Sequence, residues 1–227
     1  MKIGGLERFS LLDYPDHISA VIFTLGCNFR CPFCHNRELV ESSVEAFDQD
    51  KVLDFLKKRS GQLEAVVITG GEPTLQEDLD GFIERTKEMD YLVKLDTNGT
   101  RPEVIEDLID RELVDYVAMD VKTSPSKYNR AAGKEVDLEA IRKSIEQVKR
   151  LENYEFRLTA VPDLVDSKDI EEVGKLLKGC KNFFIQQFRP KNTLEPSFSE
   201  KESYQEKKLH SFRERMEKYV ENCDVRA

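Results

Sequence analysis

Six short apolar segments alternate with six amphipathic ones along most of the chain, and this alternation limits the possible folds more than any other feature. The apolar segments are rich in β-branched and aromatic residues, as strands are; they cover 18–24, 65–68, 91–95, 116–119, 156–160 and 183–185. The segments between them carry apolar residues at helical spacing. Each helix returns the chain to the same end of the sheet, so successive βα units build a parallel sheet. We therefore predict an α/β fold with a parallel sheet.

Charged and capping residues indicate where several helices begin and end. Asp48 and Asp50 precede the apolar positions of the first predicted helix and basic residues follow them, an order that the helix dipole favours. Pro102 is expected to open a short helix, because proline fits the first helical turn. Ser167 is expected to cap a later helix. The last helix is predicted around residues 209–219.

The number of βα units predicts a sheet that curves without closing. Eight such units close a TIM barrel in ~250 residues. Six units in 227 residues therefore predict a partial (β/α)6 TIM-like barrel with one open side. A flat, doubly wound sheet is the alternative, and both place ligands at the carboxyl ends of the strands. We expect a single domain, with an N-terminal extension (1–17), a barrel core (18–190) and a C-terminal polar segment with a helix (191–227).

Three cysteines, Cys27, Cys31 and Cys34, follow the first predicted strand. This Cys-x3-Cys-x2-Cys spacing fits one short loop and supplies three of the four thiolates that a closed iron-sulfur cluster takes. The absent fourth ligand leaves a coordination position for a substrate or cosubstrate, as in catalytic zinc sites. Structural zinc with His35 as the fourth ligand is the alternative. The spacing disfavours it, because adjacent Cys34 and His35 can hardly both reach one tetrahedral ion.

Polar motifs follow four more of the predicted strands. They are the runs 69–73 (Thr-Gly-Gly-Glu-Pro), 96–99 (Asp-Thr-Asn-Gly), 120–122 (Asp-Val-Lys) and 186–189 (Gln-Gln-Phe-Arg). The carboxyl ends of parallel strands meet at one edge of the sheet, so these runs predict a single active site together with the cysteines.

Each motif also has a simpler explanation. Gly70 and Gly71 are typical of a tight turn, and Asp96 with the following Asn-Gly is typical of a polar turn. Asp120 and Lys122, two residues apart, are compatible with a surface ion pair. Taken together, the groups suit an amino-acid nucleoside, since a carboxylate can bind ribose hydroxyls and a lysine a ligand carboxylate. Glycines admit a ligand close to the backbone, and a carboxylate beside them can hold an ammonium group.

Composition and charge exclude several classes of protein. A net charge of −9 argues against nucleic-acid binding as the main role. No run approaches the ~18 apolar residues of a membrane helix, and the first residues do not resemble a signal peptide. The isolated Cys180 and Cys223 indicate neither a disulfide framework nor a second cluster. We therefore expect a soluble cytoplasmic protein that binds neither nucleic acid nor membrane.

The cysteine motif, with the aromatic Phe33 before its last cysteine and the Gly-Gly-Glu-Pro run that follows, resembles the radical S-adenosylmethionine (SAM) superfamily over nearly the whole chain. The runs 34–36 (Cys-His-Asn), 10–15 (Ser-Leu-Leu-Asp-Tyr-Pro) and 186–190 (Gln-Gln-Phe-Arg-Pro) resemble the activating enzymes of glycyl radical enzymes. Among these, the chain is most similar to activating proteins of anaerobic ribonucleoside-triphosphate reductase, to which pyruvate formate-lyase activating enzyme is related.

The resemblance implies roles for particular residues around a cluster and a bound SAM. The thiolates of Cys27, Cys31 and Cys34 would hold a [4Fe-4S] cluster. Its fourth iron would be chelated by the amino and carboxylate groups of SAM. Phe33 would pack by the adenine, and His35 and Asn36 would border the cluster and the nucleoside.

The remaining implied contacts come from the later strand ends. The segment Gly70, Gly71 and Glu72 would receive the SAM amino group. Asp120 and Lys122 would contact the ribose and the carboxylate. In relatives, an aspartate at the position of Asp96 can help to bind a monovalent cation near SAM.

The resemblance also implies a reaction and partners. A 5'-deoxyadenosyl radical would take hydrogen from the Cα of one glycine in a partner enzyme, here expected to be anaerobic ribonucleotide reductase. An electron donor such as flavodoxin or ferredoxin would reduce the cluster. The first alternative is a radical SAM enzyme acting on a small molecule in modified nucleoside or cofactor biosynthesis. The second is a non-catalytic iron-sulfur or zinc-binding module.

Overall fold

The computed structural model of the protein describes residues 1–226 and contains one sheet within them. The eight strands found in these residues are β1 (Ile3–Ser10), β2 (Ser19–Thr24), β3 (Ala65–Gly70), β4 (Leu92–Thr97), β5 (Tyr116–Asp120), β6 (Tyr154–Ala160), β7 (Asn182–Gln187) and β8 (Asn222–Arg226).

Helices connect most of the strands. In residues 1–226 the α-helices are α1 (Arg37–Glu41), α2 (Gln49–Arg59), α3 (Leu79–Lys87), α4 (Pro102–Asp110), α5 (Tyr128–Ala132), α6 (Leu138–Val148), α7 (Ser167–Leu176), α8 (Pro196–Ser199) and α9 (Glu206–Met216). Two short 3-10 helices, Pro73–Leu75 and Pro125–Lys127, follow the ends of β3 and β5. None of the helices in the described residues has the length and apolar character that crossing a membrane requires.

The order of strands in the sheet follows their order in the chain, from β1 at one edge to β8 at the other. β1 pairs antiparallel with β2, and every later neighbouring pair is parallel. A doubly wound sheet requires the strand order to reverse, so that alternative is excluded. The continuous order is the winding of a barrel, and within residues 1–226 its edges do not pair, so the sheet is not closed. The predicted open α/β fold is confirmed.

The six predicted strands correspond to β2–β7, whereas the two edge strands were missed. β1 lies in the predicted N-terminal extension, and β8 follows the last helix. Ile3 is fully buried in β1, but Glu7 to Phe9 are exposed, and β8 has no fully buried residue. An edge strand that buries little of either face shows weak alternation, which explains why the pattern did not reveal them.

The prediction that Ser167 caps its helix is wrong by one residue. The side chain of Asp166 accepts hydrogen bonds from the backbone N–H groups of Lys168 (2.7 Å) and Asp169 (3.1 Å). The Asp169 carboxylate in turn accepts a 2.8 Å bond from the Asp166 N–H, which completes a capping box. Ser167 is the first residue of α7. The last helix, α9, ends at Met216 and not at residue 219.

The two faces of the sheet differ in chemistry. One face packs against the helices and forms the main core, with Ile22 and Ile68 among its fully buried residues. The opposite, inner face has a small apolar cluster at the amino ends of the strands: Tyr14, Val21, Ala65, Val67, Tyr116 and Ala118. Side chains alternate along a strand, so the same face continues toward the carboxyl ends through Lys94, Asp96 and Asp120. The inner face thus becomes charged where the predicted site lies.

Candidate active site

One cavity of about 260 Å³ lies at the carboxyl ends of the strands and collects nearly all of the predicted site residues. Its lining includes Cys27, Cys31, Phe33, Cys34, Asn36, Gly70, Gly71, Glu72, Asp96, Asp120 and Lys122. These residues come from the loops after four strands and from the strand ends themselves. Residues as far apart in the chain as Cys27 and Gln186 therefore form one chemical environment.

The cysteine loop between β2 and α1 is held by backbone hydrogen bonds from distant parts of the chain. The Arg30 N–H donates to the carbonyl of Ala132 at the end of α5, at 2.8 Å. From the other side, the Leu194 N–H donates to the Cys34 carbonyl, also at 2.8 Å. An irregular loop gains a defined shape in this way, because its backbone groups are paired with other segments.

The three cysteines are free thiols on one wall of the cavity; Cys31 is buried, and Cys27 and Cys34 are partly exposed. Burial raises the pKa of the Cys31 thiol to about 12, with Lys122 acting in the opposite direction, and burial also raises the pKa of Cys27. Three thiolates here need a compensating positive charge, which iron supplies. The donor set therefore fits an iron-sulfur cluster. Among residues 1–226, no three Cys, His, Asp or Glu side chains are arranged to hold one metal ion.

Gly70 and Gly71 allow the β3 loop to close onto the cysteine loop. Gly70 has a φ of 110°, a conformation that side chains other than glycine rarely adopt. A Cβ atom on Gly71 would lie 2.0 Å from the carbonyl oxygen of Gly26. The Glu72 N–H donates to that same carbonyl at 2.8 Å. The structure therefore requires glycine at both positions. Both glycines also line the cavity, where their backbone forms part of the wall.

Glu72 is buried and joins the loops after β3 and β4. Its carboxylate accepts bonds from Thr74 Oγ1 (2.5 Å) and N–H (3.1 Å), Thr97 Oγ1 (2.7 Å) and the Asn98 N–H (2.7 Å). Burial raises the pKa of Glu72, and these hydrogen bonds act against that rise. Four donors take up most of the acceptor capacity of a carboxylate. The side chain therefore acts chiefly as an internal link between these two loops.

A second link was missed by the sequence analysis. Asn98 donates through Nδ2 to Asn28 Oδ1 at 2.9 Å, and Asn28 donates to Thr100 Oγ1 at 2.7 Å. The same Asn98 nitrogen lies 4.0 Å from the sulfur of Cys27. The Asn98 turn therefore also positions the cysteine loop. The sequence did contain one signal for this link, namely the amide side chain of Asn28 between Cys27 and Cys31.

Asp120 and Lys122 form an ion pair inside the cavity, with 3.2 Å between Asp120 Oδ2 and Lys122 Nζ. Asp120 Oδ1 also accepts a 2.9 Å hydrogen bond from Arg157 Nε. Burial raises the pKa of Asp120, but the charges of Arg157 and Lys122 outweigh it and lower the pKa to about 2. In the same way, Asp120 outweighs the effect of burial and raises the pKa of Lys122. The surface ion-pair explanation is wrong, since the Lys122 side chain is only 15% exposed.

Arg157 and Lys94 were also missed. Arg157 Nη1 donates to Asp96 Oδ2 at 3.1 Å. Lys94 Nζ lies 3.0 Å from Asp96 Oδ1 and forms an ion pair with it, although the geometry does not meet the angle of a hydrogen bond. Burial raises the pKa of Asp96, and these two cations lower it below its usual value. The sequence signal was present: a basic residue alternates with apolar ones in β4 and again in β6, which places it on the inner face.

Two predicted features lie outside the cavity. The exposed side chain of His35 faces a neighbouring cavity, and its Nδ1 is 2.7 Å from the carbonyl oxygen of Lys191. Of the run after the sixth predicted strand, Gln186 lines the site, whereas Phe188 is buried and Arg189 is exposed. The structure therefore separates His35 and Arg189 from the residues that surround the cysteines.

Comparison with known families places this site in context. Residues 21–178 match the Radical SAM superfamily. A protein of Methanocaldococcus jannaschii, provisionally named a glycyl-radical enzyme activating enzyme, is 39% identical over 99% of this chain and 95% of its own length. A 7-carboxy-7-deazaguanine synthase of Thermococcus kodakarensis is 27% identical over 73% of this chain and 72% of its own length. The pyruvate formate-lyase-activating enzyme of Clostridium pasteurianum is 28% identical over 85% and 83%, respectively.

Solved structures share the fold at low identity. Streptococcus suis SuiB bound to S-adenosylmethionine superimposes with a TM-score of 0.69 and 18% identity, over 91% of this chain and 50% of that one. A domain of a pyruvate-formate lyase-activating enzyme from Bacteroides vulgatus superimposes with a TM-score of 0.58 and 15% identity, over 72% of this chain and 99% of that one. At this level of identity the likeness extends to the fold alone.

Proposed function

Since this chain belongs to the radical SAM superfamily, we propose that it is an activating enzyme that uses SAM to place a glycyl radical on a partner enzyme. One observation carries the proposal: the M. jannaschii relative named for this activity is 39% identical over 99% of this chain and 95% of its own length. The similarity to a pyruvate formate-lyase-activating enzyme, over 85% of this chain, supports the same reaction class.

The cysteine wall provides the ligands for the cofactor. Cys27, Cys31 and Cys34 would hold a [4Fe-4S] cluster, which leaves one iron for the amino and carboxylate groups of SAM. When bound and reduced, the cluster supplies the electron that cleaves SAM to methionine and a 5'-deoxyadenosyl radical. The wall is held rigidly by the hydrogen bonds of Arg30 and of the Cys34 carbonyl, which suits a reaction that depends on position.

The opposite wall would orient the rest of SAM. Lys122 offers an ammonium group to the ligand carboxylate, and Asp120 offers acceptors to the ribose hydroxyls. The lowered pKa of Asp120 keeps its carboxylate charged at neutral pH. Phe33 would pack by the adenine. The backbone at Gly70 and Gly71 would accept from the amino group.

The radical would take a hydrogen atom from the Cα of one glycine in the partner. The products are 5'-deoxyadenosine and a glycyl radical, so hydrogen and the unpaired electron balance without a general base. We place the reaction in the cytoplasm, with flavodoxin or ferredoxin as the class of electron donor. Anaerobic ribonucleoside-triphosphate reductase is the first partner to test, on the resemblance of runs 10–15, 34–36 and 186–190.

The test combines the reconstituted, reduced protein with SAM and a candidate anaerobic reductase under anaerobic conditions. A glycyl doublet in the electron paramagnetic resonance spectrum, absent with Cys31→Ala, is the expected result. Release of 5'-deoxyadenosine without a doublet in any glycyl radical enzyme would contradict the activase proposal. Tetrahedral zinc without iron-dependent absorbance would contradict the cluster as well.

A second candidate is a radical SAM enzyme that acts on a small molecule in modified nucleoside biosynthesis. The similarity to 7-carboxy-7-deazaguanine synthase over 73% of this chain favours it. Its distinguishing result is a modified small-molecule product that forms in step with 5'-deoxyadenosine when no partner protein is present.

A further inference from the structure

Two carboxylates in the candidate site converge on one guanidinium group. Arg157 donates through Nε to Asp120 Oδ1 at 2.9 Å and through Nη1 to Asp96 Oδ2 at 3.1 Å. The Arg157 and Asp96 side chains are 13% and 14% exposed, so water screens this arrangement only weakly. One arginine therefore bridges the ends of β4 and β5 from its position on β6.

The other side of Asp96 is taken by a second cation. Lys94 Nζ lies 3.0 Å from Asp96 Oδ1, and it donates a 2.6 Å hydrogen bond to the carbonyl of Asp13. Asp13 belongs to the loop between β1 and β2, whose Tyr14 covers the apolar cluster at the amino ends of the strands. The ammonium group is thus held from both ends of the sheet, and its side chain is only 4% exposed.

Glu155, another acidic group on this face, is engaged mainly by partners other than Arg157 and Lys94. Glu155 is buried and accepts two 2.8 Å hydrogen bonds from Arg226 and one of 3.0 Å from the Tyr116 hydroxyl. Its nearest oxygen lies 3.9 Å from Arg157 Nη1. Arg157 therefore remains available to Asp96 and Asp120.

The resulting charge balance is unfavourable for a bound metal cation. Asp96 and Asp120 are paired with Lys94, Arg157 and Lys122, so three positive groups face two carboxylates. A hard cation needs oxygen ligands that it does not share with other cations. A metal cation would also lie a few ångströms from the basic side chains, and like charges repel strongly in a site from which water is largely excluded. The residues present do not fit a monovalent cation at Asp96.

We propose that Arg157, with Lys94, takes the place of a monovalent cation beside SAM, and that Arg157 is a positioning residue that holds Asp120 toward the ribose. The inference rests on the proposed binding of SAM in this cavity and does not depend on the identity of the partner. SAM cleavage by this protein is accordingly independent of the alkali cation in the buffer.

The first test uses the unaltered, cluster-loaded protein. Release of 5'-deoxyadenosine is measured in KCl, NaCl and tetramethylammonium chloride at equal ionic strength, the last cation being too large for the site. We expect rates within about twofold of one another, because no cation need bind. A loss of about tenfold in tetramethylammonium that K⁺ reverses would overturn the proposal.

The second test removes the guanidinium group. Arg157→Met frees Asp96 Oδ2 and Asp120 Oδ1, whereas the other carboxylate oxygens stay beside Lys94 and Lys122. K⁺ or Na⁺ is expected to enter between the two freed oxygens. In tetramethylammonium chloride this variant should need at least about tenfold more SAM for half-maximal cleavage, and K⁺ should restore part of the loss. Arg157→Lys keeps a charge and should stay independent of the alkali cation. If Arg157→Met needs more SAM for half-maximal cleavage and no alkali cation reduces that need, the proposal that Arg157 takes the place of a cation would be contradicted.

The matched control is Arg142→Met on α6, where the arginine is half exposed and its partner Glu139 lies 3.4 Å away on the surface. Neither cleavage nor its cation dependence should change in this variant. A new cation dependence in Arg142→Met would show that the response is not specific to the cavity, and would overturn the assignment to Arg157.

Two readouts do not require activity. The thermal unfolding midpoint of the apoprotein should be the same in the three salts, whereas that of Arg157→Met should be higher in KCl than in tetramethylammonium chloride. In crystals soaked with Tl⁺, anomalous density is expected between Asp96 and Asp120 only in Arg157→Met; such density in the unaltered protein would overturn the proposal. These two readouts test the role of Arg157 even if the protein does not cleave SAM. A failure to cleave SAM would count against the proposed function and not against the role of Arg157.

Discussion

Asp120 illustrates how the surroundings of one residue set its chemistry. The same carboxylate, read from the sequence, is compatible with a surface ion pair, but in the structure it lies between Lys122 at 3.2 Å and Arg157 at 2.9 Å. These two charges keep it ionised far below neutral pH. The ribose contact proposed for Asp120 would therefore depend on two basic residues that approach it from other positions in the chain.

Asp120 should contribute stability that depends on pH. Its pKa of about 2 in the folded protein lies below its ordinary value, so the contribution is complete above about pH 4 and is lost as the pH falls toward 2. The difference in unfolding free energy between the apoprotein and Asp120→Asn should shrink by about 2 kcal/mol over that interval. Urea unfolding at a series of pH values measures it. A difference that stays constant from pH 5 to pH 2 would contradict the pairing.

Glu72 is a second residue whose partners matter more than its type. Replacement by glutamine keeps the shape but turns an NH2 group toward donors such as Thr97 Oγ1 and the Asn98 N–H. The apoprotein should lose about 2 kcal/mol in urea unfolding, because buried donors are left unpaired. Glu77→Gln, at an exposed position of the same loop, is the control and should change little. Equal effects of the two substitutions would contradict the role of Glu72 as a link.

At the scale of elements, the loops after β2, β3 and β4 behave as one unit. Gly71 packs on Gly26, Glu72 bonds to the β4 loop, and Asn98 returns to Asn28 in the cysteine loop. Each loop alone is short and polar, so its conformation depends on the other two. This mutual support explains how an irregular segment can present three cysteines to one cavity.

Gly71→Ala tests this mutual support. The new methyl group would lie 2.0 Å from the Gly26 carbonyl, so the two loops must separate. We expect a loss of about 2 kcal/mol in the stability of the apoprotein and a lower cluster content after reconstitution. Gly81→Ala is the matched control: nothing lies within 4 Å of its new Cβ in α3, and helix propensity predicts a gain of up to about 1 kcal/mol. A stabilising effect of both substitutions would show that the loops do not need the close approach.

The cysteine loop should hold the cluster independently of the other two cysteines. Iron and sulfide analysis after anaerobic reconstitution should give about four of each per chain, and Cys31→Ala should abolish the bound cluster. Cys223→Ala, in β8 and outside the cavity lining, should retain it. Full iron content in Cys31→Ala would show that the cluster binds elsewhere.

For the whole molecule, the edges of the sheet are tied to its inner face. The β1–β2 loop reaches Lys94 through the Asp13 carbonyl, and Arg226 of β8 reaches the buried Glu155 on β6. The run 10–15, which resembles a motif of activating enzymes, therefore lies at the end of the sheet opposite the cysteines and contacts the site through one lysine. Charged side chains thus link β4, β5, β6 and β8 across the inner face.

Arg226→Ala should destabilise the protein although the residue lies near the end of the described chain. Glu155, which is 1% exposed, would lose both of its 2.8 Å hydrogen bonds from the guanidinium group. We expect a loss of about 3 kcal/mol in urea unfolding, because the buried carboxylate loses its main cationic partner and keeps only the Tyr116 hydrogen bond and the more distant Arg157. Arg142→Ala, which breaks an exposed pair, should cost less than about 1 kcal/mol. Similar losses in the two variants would contradict a coupling between β8 and the inner face.

Local patterns in the sequence were sufficient for the six central strands, the parallel sheet and the position of the cysteines. Strand and helix periodicities are properties of short segments, and the carboxyl ends of parallel strands must share one edge, so residues 27–34, 70–72 and 120–122 could be assigned to one site from their order alone. The edge strands β1 and β8 escaped this reasoning because strands that bury little of either face alternate weakly.

Contacts between segments that are distant in the chain determined the burial, partners and charge states of the site residues. Burial and pairing depend on which side chains meet across the sheet, so the pattern could not reveal that Arg157 bridges Asp96 and Asp120, or that Glu72 is an internal link. It could not place His35 outside the cavity either, since that depends on how the loop turns beside Lys191. The types of groups at the site follow from residue order, whereas their charge states and partners follow from three-dimensional proximity, because electrostatic and hydrogen-bond energies depend on distance in space.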